Sequence, residues 1–327
     1  PSTAAVSRAM LPDAANPAGN VHGGTILSMV DEAGWTAATR YMNQKHTKDA
    51  KPACASLARI EKVDFLKPMF IGEIAEVTAQ VTHTSPHSIE VEVNVVAENV
   101  MTGQKRTTNR ARAWYVSKEF RNGGNADPVM AVPRMKYASE AEMQAGLARY
   151  EKQKQSRTCH HRPPDKSRDD RDTIASQHPV EEGDATLIHV LHPSDCHANG
   201  VAQAGAVLKL MDTAAGVVSV RHCRSNAVTA SLEAVDFMLP LYNGDLLEIA
   251  ARPVFTSKRS MDVEVNVYAQ SLNKETKSLA ATSIFTFVSL DRSYRVQDVP
   301  AFEPRTDSQR ARFELGLKRY ETRKAER

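Results

Sequence analysis

Two periodic patterns of apolar residues alternate along this chain of 327 residues. Residues 25–38 and 206–221 are apolar on nearly every side and contain no proline. A stretch of that length and composition favours a helix buried in a protein core. In residues 89–95 and 261–267 the period is two, because apolar and polar side chains alternate strictly. That alternation is typical of half-buried strands.

Further strands are predicted downstream of each helix, with a Met101-Thr102-Gly103 turn between two of them. They cover residues 73–82, 105–116, 245–255 and 277–290. Short turns between consecutive strands are typical of an antiparallel meander. The predicted fold class is therefore α+β, with one long buried helix wrapped by an antiparallel sheet in each of two units.

The second half of the chain repeats the first. Residues 63–95 (VDFLKPMFIGEIAEVTAQVTHTSPHSIEVEVNV) align without a gap to residues 235–267 (VDFMLPLYNGDLLEIAARPVFTSKRSMDVEVNV), and about 15 of these 33 positions are identical. The offset is 172 here and 181 around the helices, so the first copy carries nine extra residues. They fall in a polar stretch between Met42 and Pro52, which we expect to be a surface loop.

The repeat predicts two related domains, residues 1–152 and 184–327, each closed by a charged terminal helix (residues 140–155 and 309–324). Residues 153–183 between them are polar, carry both signs of charge and include a Pro-Pro pair. Such a segment buries too little apolar surface to offset the entropy lost on ordering. We therefore expect a flexible linker there.

Composition excludes several classes of protein. Lys and Arg total 42 against 39 Asp and Glu, a net charge of +3, which argues against a basic nucleic-acid-binding protein. No apolar run approaches the roughly 20 residues that span a bilayer, and the N-terminal residues lack the pattern of a secretory signal. Four scattered cysteines do not form a disulfide framework. These features predict a reduced, soluble, intracellular protein.

Candidate chemistry begins with an acid inside each buried helix. Asp31 and Asp212 occupy the same place in the two copies and have apolar neighbours. A buried carboxylate must be paired, hydrogen-bonded or exposed to a cavity. One interpretation is that each aspartate caps a backbone or bridges the domains; the other is that it performs chemistry.

The residues before the first helix favour chemistry. Gly23 and Gly24 open that helix, where unpaired N–H groups and the helix dipole can polarise a carbonyl, and Asn20 adds an amide nearby. The second copy has Val201, Gln203 and Ala204 in place of Asn20, His22 and Gly23. We therefore predict one competent site, which combines Asn20 with Asp212. Asp31 marks a second or vestigial site.

Two further groups could bind ligands. Ser257, Lys258 and Arg259 lie in a strand turn and suit phosphate groups, although a charged turn is usually just solvated. Cysteine and histidine residues cluster at 159–161 and 196–197, but their spacing matches no zinc module. We expect no metal site.

The segments AGNVHGGTILSMVDEAG, VDFLKPMFIGE and TSPHSIEVEVNV, with their counterparts in the second half, resemble the cytosolic (brain-type) acyl-coenzyme A thioesterases with tandem hotdog domains. The resemblance covers nearly the whole chain outside the linker. It implies two hotdog domains paired within one chain, and a trimer of such chains. It also implies hydrolysis in the cytosol of medium- to long-chain fatty acyl-CoA, such as palmitoyl-CoA, without a cofactor. Its essential pair matches Asn20 and Asp212.

The hypothesis from these residues is hydrolysis without a metal. N–H groups at Gly23 and Gly24 polarise the thioester carbonyl, and Asn20 holds the substrate or a water. Asp212 is then either the general base or the nucleophile. On the same hypothesis Ser257, Lys258 and Arg259 bind CoA at its phosphates, and an apolar tunnel beside the helix takes the acyl chain. Two alternatives stay open: a hotdog dehydratase for 3-hydroxyacyl thioesters, favoured by His22, and an acyl-CoA binding or sensing protein that has lost catalysis.

Overall fold

The structure, a computed structural model, describes residues 3–17, 19–44, 51–120, 128–160, 183–272 and 276–325. The same order of elements occurs twice. The first copy contains β1 (Thr3–Ala9), α1 (Gly23–Met42), β2 (Ala53–Ile60), β3 (Val63–Phe65), β4 (Ile74–Thr84), β5 (Ser88–Glu98), β6 (Lys105–Glu119) and α2 (Glu140–His160). The second contains β7 (Ala185–Val190), α3 (Ala204–Cys223), β8 (Asn226–Leu232), β9 (Val235–Phe237), β10 (Asp245–Thr256), β11 (Met261–Ser271), β12 (Ser278–Leu290) and α4 (Asp307–Ala325).

One antiparallel sheet of twelve strands contains both copies. Its main path is β1-β4-β5-β6-β2-β9-β12-β11-β10-β7, so the halves join where β2 pairs with β9. The short strand β3 adds a second junction by pairing with β8. Apolar residues that alternate along β5 and β11 are fully buried beneath the two long helices. This is the α+β arrangement that the hydrophobic pattern predicts.

The helices α1 and α3 lie against each other in the middle of this sheet. The second residue of each helix is a glycine that has no room for a side chain. A Cβ on Gly24 would stand 2.7 Å from the Cα of Lys209, and one on Gly205 would stand 2.8 Å from the Cα of Ser28. Backbone atoms cannot yield as a flexible side chain does, so glycine at these two positions allows the helices to approach.

The domain boundary differs in one respect from the prediction. The expected linker starts at residue 153, but α2 continues to His160. The helix is held there by contacts with the first domain, since Gln153 is buried and Ser156 Oγ accepts a hydrogen bond from Arg59 at 3.1 Å. Residues 161–182 of the predicted linker, and residues 45–50 of the predicted surface loop, lie outside the described residues.

A buried ion pair crosses the junction between the halves. The guanidinium of Arg59 in β2 donates a hydrogen bond of 2.6 Å to Asp236 Oδ2 in β9, and both side chains are more than 90% buried. We expect Asp236→Ala to lower the free energy of unfolding by about 3 kcal/mol, because a buried guanidinium loses its closest partner. Urea denaturation of the purified chain measures this difference.

The control removes an ion pair of the same type from the surface. Glu92→Ala takes away the partner of Arg112, whose side chain is 46% exposed, and should cost less than about 1 kcal/mol. Equal losses of unfolding free energy in the two variants would contradict a stabilising role for the Arg59–Asp236 pair.

Candidate active site

Asp212 is buried in α3, and groups from both domains lie against its carboxylate. The N–H of Gly24 donates to Oδ2 at 2.7 Å, and the hydroxyl of Thr229 donates to Oδ1 at 2.6 Å. The Nδ1 atom of His22 lies 3.2 Å from Oδ2. Because Gly24 and His22 belong to the first domain, this carboxylate joins the two copies.

The start of α1 stabilises a negative charge for reasons of helix geometry. His22 is the N-cap of this helix and Gly23 is its first residue. The first N–H groups of a helix have no partner within it, and the helix dipole gives that end a positive potential. Gly24 N–H also lies 3.0 Å from His22 Nδ1, so the imidazole and the Asp212 carboxylate share one donor.

Gly23 provides space beside the carboxylate. A Cβ at this position would stand 2.9 Å from Thr229 Oγ1 and 3.1 Å from Asp212 Oδ2. Any side chain here would therefore displace the hydroxyl or the carboxylate. The sequence places glycine where the two domains come closest to the candidate acid.

Two cavities of about 270 Å³ each meet beside Asp212. Cavity A follows α3 and is lined by Asp212, Gly216, Val217, Val220 and Arg221, with Phe287 opposite. Cavity B lies between the segment 65–70 and the residues that follow β12; Asn20, Phe65, Leu66, Phe70, Leu290 and Tyr294 are in its wall. Asn16, Gly23, Val228 and Thr229 line both cavities. A molecule with two arms can therefore lie across the junction.

Asn20 lies on the cavity B side of that junction. It is 6% exposed, and its backbone is fixed in a tight loop. Its N–H donates to Asn16 Oδ1 at 3.1 Å, its carbonyl accepts from Asn16 N–H at 2.7 Å, and it forms a β-bridge with Phe70. Asn20 and Asp212, which the sequence predicts to act together, thus line adjoining cavities.

The other copy repeats the buried contact but has little space. Gly205 N–H donates to Asp31 Oδ2 at 2.7 Å, and the hydroxyl of Tyr115 donates to Oδ1 at 3.1 Å. The cavity beside Asp31, here called cavity C, measures about 30 Å³ and is lined by Trp35, Leu57, His197 and Val201. Burial raises the pKa of Asp31 to about 6, although the bonds from Gly205 and Tyr115 oppose that rise.

Comparison with known proteins extends this description. A family model of the thioesterase superfamily matches residues 18–104 and 199–276, which is half of the chain and one segment in each copy. This chain belongs to the thioesterase superfamily. It is 42% identical to the cytosolic acyl coenzyme A thioester hydrolase of Rattus norvegicus over 327 residues, covering 99% of this chain and 84% of that protein. The Homo sapiens protein of the same name is 42% identical over 324 residues, with 98% and 83% covered.

A solved structure shows that the fold is shared. A Lactobacillus plantarum protein named as an oleoyl thioesterase superposes with a TM-score of 0.55, covering 89% of this chain and 97% of that one at 10% identity. Together with the family match in both copies, this confirms two tandem hotdog domains of the α+β class in this member of the thioesterase superfamily.

The residues predicted to form the site do not all line the same cavity. Asp212 lines cavity A, Asn20 lines cavity B, and Gly23 lines both. The N–H of Gly24 donates to Asp212, so in this structure it is not free to polarise a substrate carbonyl. Asp31 lies in cavity C, about one-ninth the size of cavity A.

The predicted phosphate-binding turn lies away from the carboxylate. Ser257, Lys258 and Arg259 line none of cavities A, B and C. The turn is held by a 2.7 Å contact between the Ser257 and Ser260 hydroxyls. Its connection to cavity A is indirect: the carbonyl of Lys258 accepts from Val299 N–H, and the carbonyl of the next residue, Pro300, contacts His222, which adjoins Arg221.

Thr229 and Trp35 were not predicted from the sequence. Comparing the copies is the signal that finds them, since Thr229 aligns with Leu57 and Trp35 aligns with Gly216. Each of these two exchanges changes the wall of a cavity while the central aspartate stays the same.

The cysteine and histidine residues considered as metal ligands are only partly described by the structure. Among the described residues, no group of three or more His, Cys, Asp or Glu side chains is arranged to hold a metal ion. Cys196 is buried and His197 stacks on Trp35, while the side chains of Cys159 and His160, and all of His161, lie outside the described residues. In the described part of this thioesterase-superfamily chain, no helix is long and apolar enough to cross a membrane.

The raised pKa of Asp31 predicts a specific pH dependence of stability. Its pKa is about 6 in the fold against 3.8 as the ordinary value, so between these pH values the folded chain binds more protons than the unfolded one. Stability contributed by this group therefore falls as pH rises from about 4 to about 6, by up to about 3 kcal/mol. Asp31→Asn removes this loss.

We expect the change in unfolding free energy caused by Asp31→Asn to be more favourable at pH 7.5 than at pH 5. Urea denaturation at the two pH values measures this change. Asp298→Asn, at a carboxylate that is 66% exposed, provides the control and should show no such difference. An Asp31→Asn variant whose effect is the same at both pH values would exclude a raised pKa at this position.

Proposed function

We propose that this chain hydrolyses fatty acyl-CoA thioesters to free fatty acid and CoA at one site, the junction of cavities A and B. The observation that carries the proposal is the buried Asp212 carboxylate, which is held by Gly24 and Thr229 and lines cavity A. Its neighbours Gly23 and Thr229 also line cavity B. The reaction is supported by the relatives named as acyl-CoA thioester hydrolases, which match nearly the whole chain.

Cavity B suits the acyl chain. Its wall is dominated by large apolar side chains, and Leu66 and Phe70 are 58% and 43% exposed. Covering exposed apolar surface of this kind with an apolar ligand lowers the free energy of the system. We therefore assign cavity B to medium- and long-chain acyl groups such as that of palmitoyl-CoA.

Cavity A suits the pantetheine arm and phosphates of CoA. It follows α3 from Asp212 to Arg221, and the guanidinium of Arg221 provides a cation at the end remote from the carboxylate. Arginine forms paired hydrogen bonds with phosphate oxygens. Lys258 and Arg259 stay predicted phosphate ligands, since their turn is linked to the end of α3 through Val299 and Pro300.

The reaction proceeds by general base catalysis in this proposal. Asp212 takes a proton from a water as the water oxygen bonds to the thioester carbon. The carbonyl oxygen becomes negative and is stabilised by the N–H of Gly23 at the positive end of α1. When the carbon–sulfur bond breaks, the proton passes to the CoA sulfur, which yields the free acid and the thiol.

The fixed geometry of Asp212 favours this role. Gly24 and Thr229 each donate to one carboxylate oxygen, which orients the group and leaves lone pairs for a water. Asn20, across the junction, holds the water or the substrate carbonyl. Direct attack by Asp212, with an anhydride intermediate, is the alternative mechanism.

The reaction consumes only water, so we propose no cofactor. The relatives at 42% identity are named cytosolic, which supports the same location for this chain. A trimer of chains with six hotdog domains, implied by the family resemblance, stays a prediction that the mass measured by light scattering would test.

The two aspartates provide a matched test of the single site. Asp212→Asn preserves the shape of the side chain but removes the proton acceptor, so kcat/KM for palmitoyl-CoA should fall at least ~100-fold. Asp31→Asn, at the same place in the other copy, should stay within about two-fold of the unmodified chain. Release of the CoA thiol, followed with a thiol reagent, measures both.

Thiol release also separates hydrolysis from the alternatives, because neither dehydration nor binding alone frees a thiol. Undiminished thiol release by Asp212→Asn would refute the assignment, and equal losses in the two variants would refute a single site.

The hydroxyl of Thr229 offers a second test. Thr229→Val keeps the shape but removes the donor to Asp212, and loss of a hydrogen bond to a charged group should lower kcat roughly 10-fold or more. Thr229→Ser restores the hydroxyl and should recover most of the activity. If the valine and serine variants have the same kcat, the hydroxyl does not orient the carboxylate.

A further inference from the structure

One position decides how much space lies beside each buried carboxylate. Gly216 in α3 aligns with Trp35 in α1, and each lies four residues after its aspartate. Gly216 lines cavity A, of about 270 Å³, whereas Trp35 lines cavity C, of about 30 Å³. We propose that Gly216 is the specificity-determining residue that admits the pantetheine arm of CoA, and that Trp35 excludes this arm from the other copy. This inference rests on the proposed function.

The tryptophan is fixed in place by its neighbours. Its ring stacks on His197 with centroids 4.2 Å apart and planes inclined by 13°. His197 aligns with Asn16, which lines both open cavities. Burial lowers the pKa of His197 to about 4, so the imidazole is neutral at neutral pH and the stacked pair fills the space without a charge.

The packing between the long helix and the strand beside it is also tighter in the first copy than in the second. In the first copy the hydroxyl of Thr39 accepts a hydrogen bond of 3.1 Å from the N–H of Ala55, which ties the start of β2 to α1. The aligned residues are Val220 and Ala227, and both line cavity A. A valine has no acceptor for such a bond, so the second copy lacks this link and the gap between helix and strand stays open.

The open side forms a continuous path from the carboxylate. Asp212, Gly216 and Val220 lie at successive turns of α3, so they form one stripe about 12 Å long at 1.5 Å per residue. The stripe ends beside Arg221, which supplies a positive charge where the phosphates of CoA would lie. A tryptophan at residue 216 would interrupt this stripe one turn from Asp212, as Trp35 does in the first copy.

The test is a series of substitutions at this position. A Cβ on Gly216 would meet only Phe287, at 3.9 Å, which is an ordinary contact, so Gly216→Ala should fold and keep most of the activity. Gly216→Leu and Gly216→Trp should lower kcat/KM progressively, by roughly 100-fold for tryptophan. The loss should be the same for butyryl-, octanoyl- and palmitoyl-CoA, because all three share the pantetheine arm.

Binding of free CoA, measured by calorimetry, gives a readout that does not depend on catalysis. The unmodified chain should bind one CoA per chain, and Gly216→Trp should bind at least about ten-fold more weakly. Trp35→Leu is the matched control in the other helix: leucine still fills cavity C, so CoA affinity and the profile of rates against acyl length should not change. Trp35→Gly removes the ring, and calorimetry should then detect a second, weaker CoA; a stoichiometry that stays at one would refute exclusion by Trp35. Thermal unfolding confirms that each variant is folded, and Gly216→Leu carries the test if the tryptophan variant is not.

Three other outcomes would each overturn a specific part of the proposal. A loss restricted to long acyl chains would place the acyl group, and not the pantetheine arm, in cavity A. Unchanged CoA binding by Gly216→Leu and Gly216→Trp would remove cavity A from the path of the substrate. If the unmodified chain binds CoA but hydrolyses no acyl-CoA, the proposed function fails, while the role of Gly216 in CoA binding is still decided by calorimetry.

Discussion

In each half of this chain, an N–H group at the start of the long helix donates a hydrogen bond to a carboxylate that is buried in the other half. Gly24 meets Asp212 and Gly205 meets Asp31, both at 2.7 Å. A helix start with unpaired N–H groups and a carboxylate removed from water are each unfavourable alone. Joined across the two domains, they satisfy one another. The two contacts lie where the helices approach most tightly, because Gly24 and Gly205 are also the residues whose absent side chains make room for the other helix.

The same contact has different consequences in the two halves. Asp212 has the hydroxyl of Thr229 as its second donor and empty space in front of it. Asp31 has the fully buried hydroxyl of Tyr115, and Gly34 makes room for it, because a Cβ there would collide with that hydroxyl. The acid is thus common to both, and the residues around it distinguish an open site from a closed one. The two copies therefore differ in the residues that surround the aspartate and not in the acid itself.

Much of the fold could be predicted because its signals are local. The apolar helices and the alternating strands follow from residues adjacent in sequence, and the repeat adds the count of domains. The strand β2 was not predicted, because nearly all of its residues are buried and no alternation marks it. The candidate site was harder for a related reason: Gly24 and Asp212 are 188 residues apart, so only the folded chain brings them together.

The sequence left open whether the aspartates cap a backbone or perform chemistry, and the structure shows that both cap a helix of the other domain. Trp35 directly follows the AGNVHGGTILSMVDEAG segment, and in sequence it is one more apolar residue of a buried helix. Its effect depends on His197, which is distant along the chain and stacked on it in space. Side chains that fill a cavity are recognised from shape, and shape is not a local property of the sequence.

The fusion of both copies into one polypeptide has a consequence for symmetry. In a pair of identical separate chains, a tryptophan at this place in the helix would stand in both sites at once and close both. A tyrosine hydroxyl under the helix would likewise appear twice. Because the two copies are parts of one polypeptide and differ in sequence, the first copy can fill its cavity with side chains while the second copy keeps its cavity open. The tether therefore allows a two-fold arrangement to carry a single asymmetric centre.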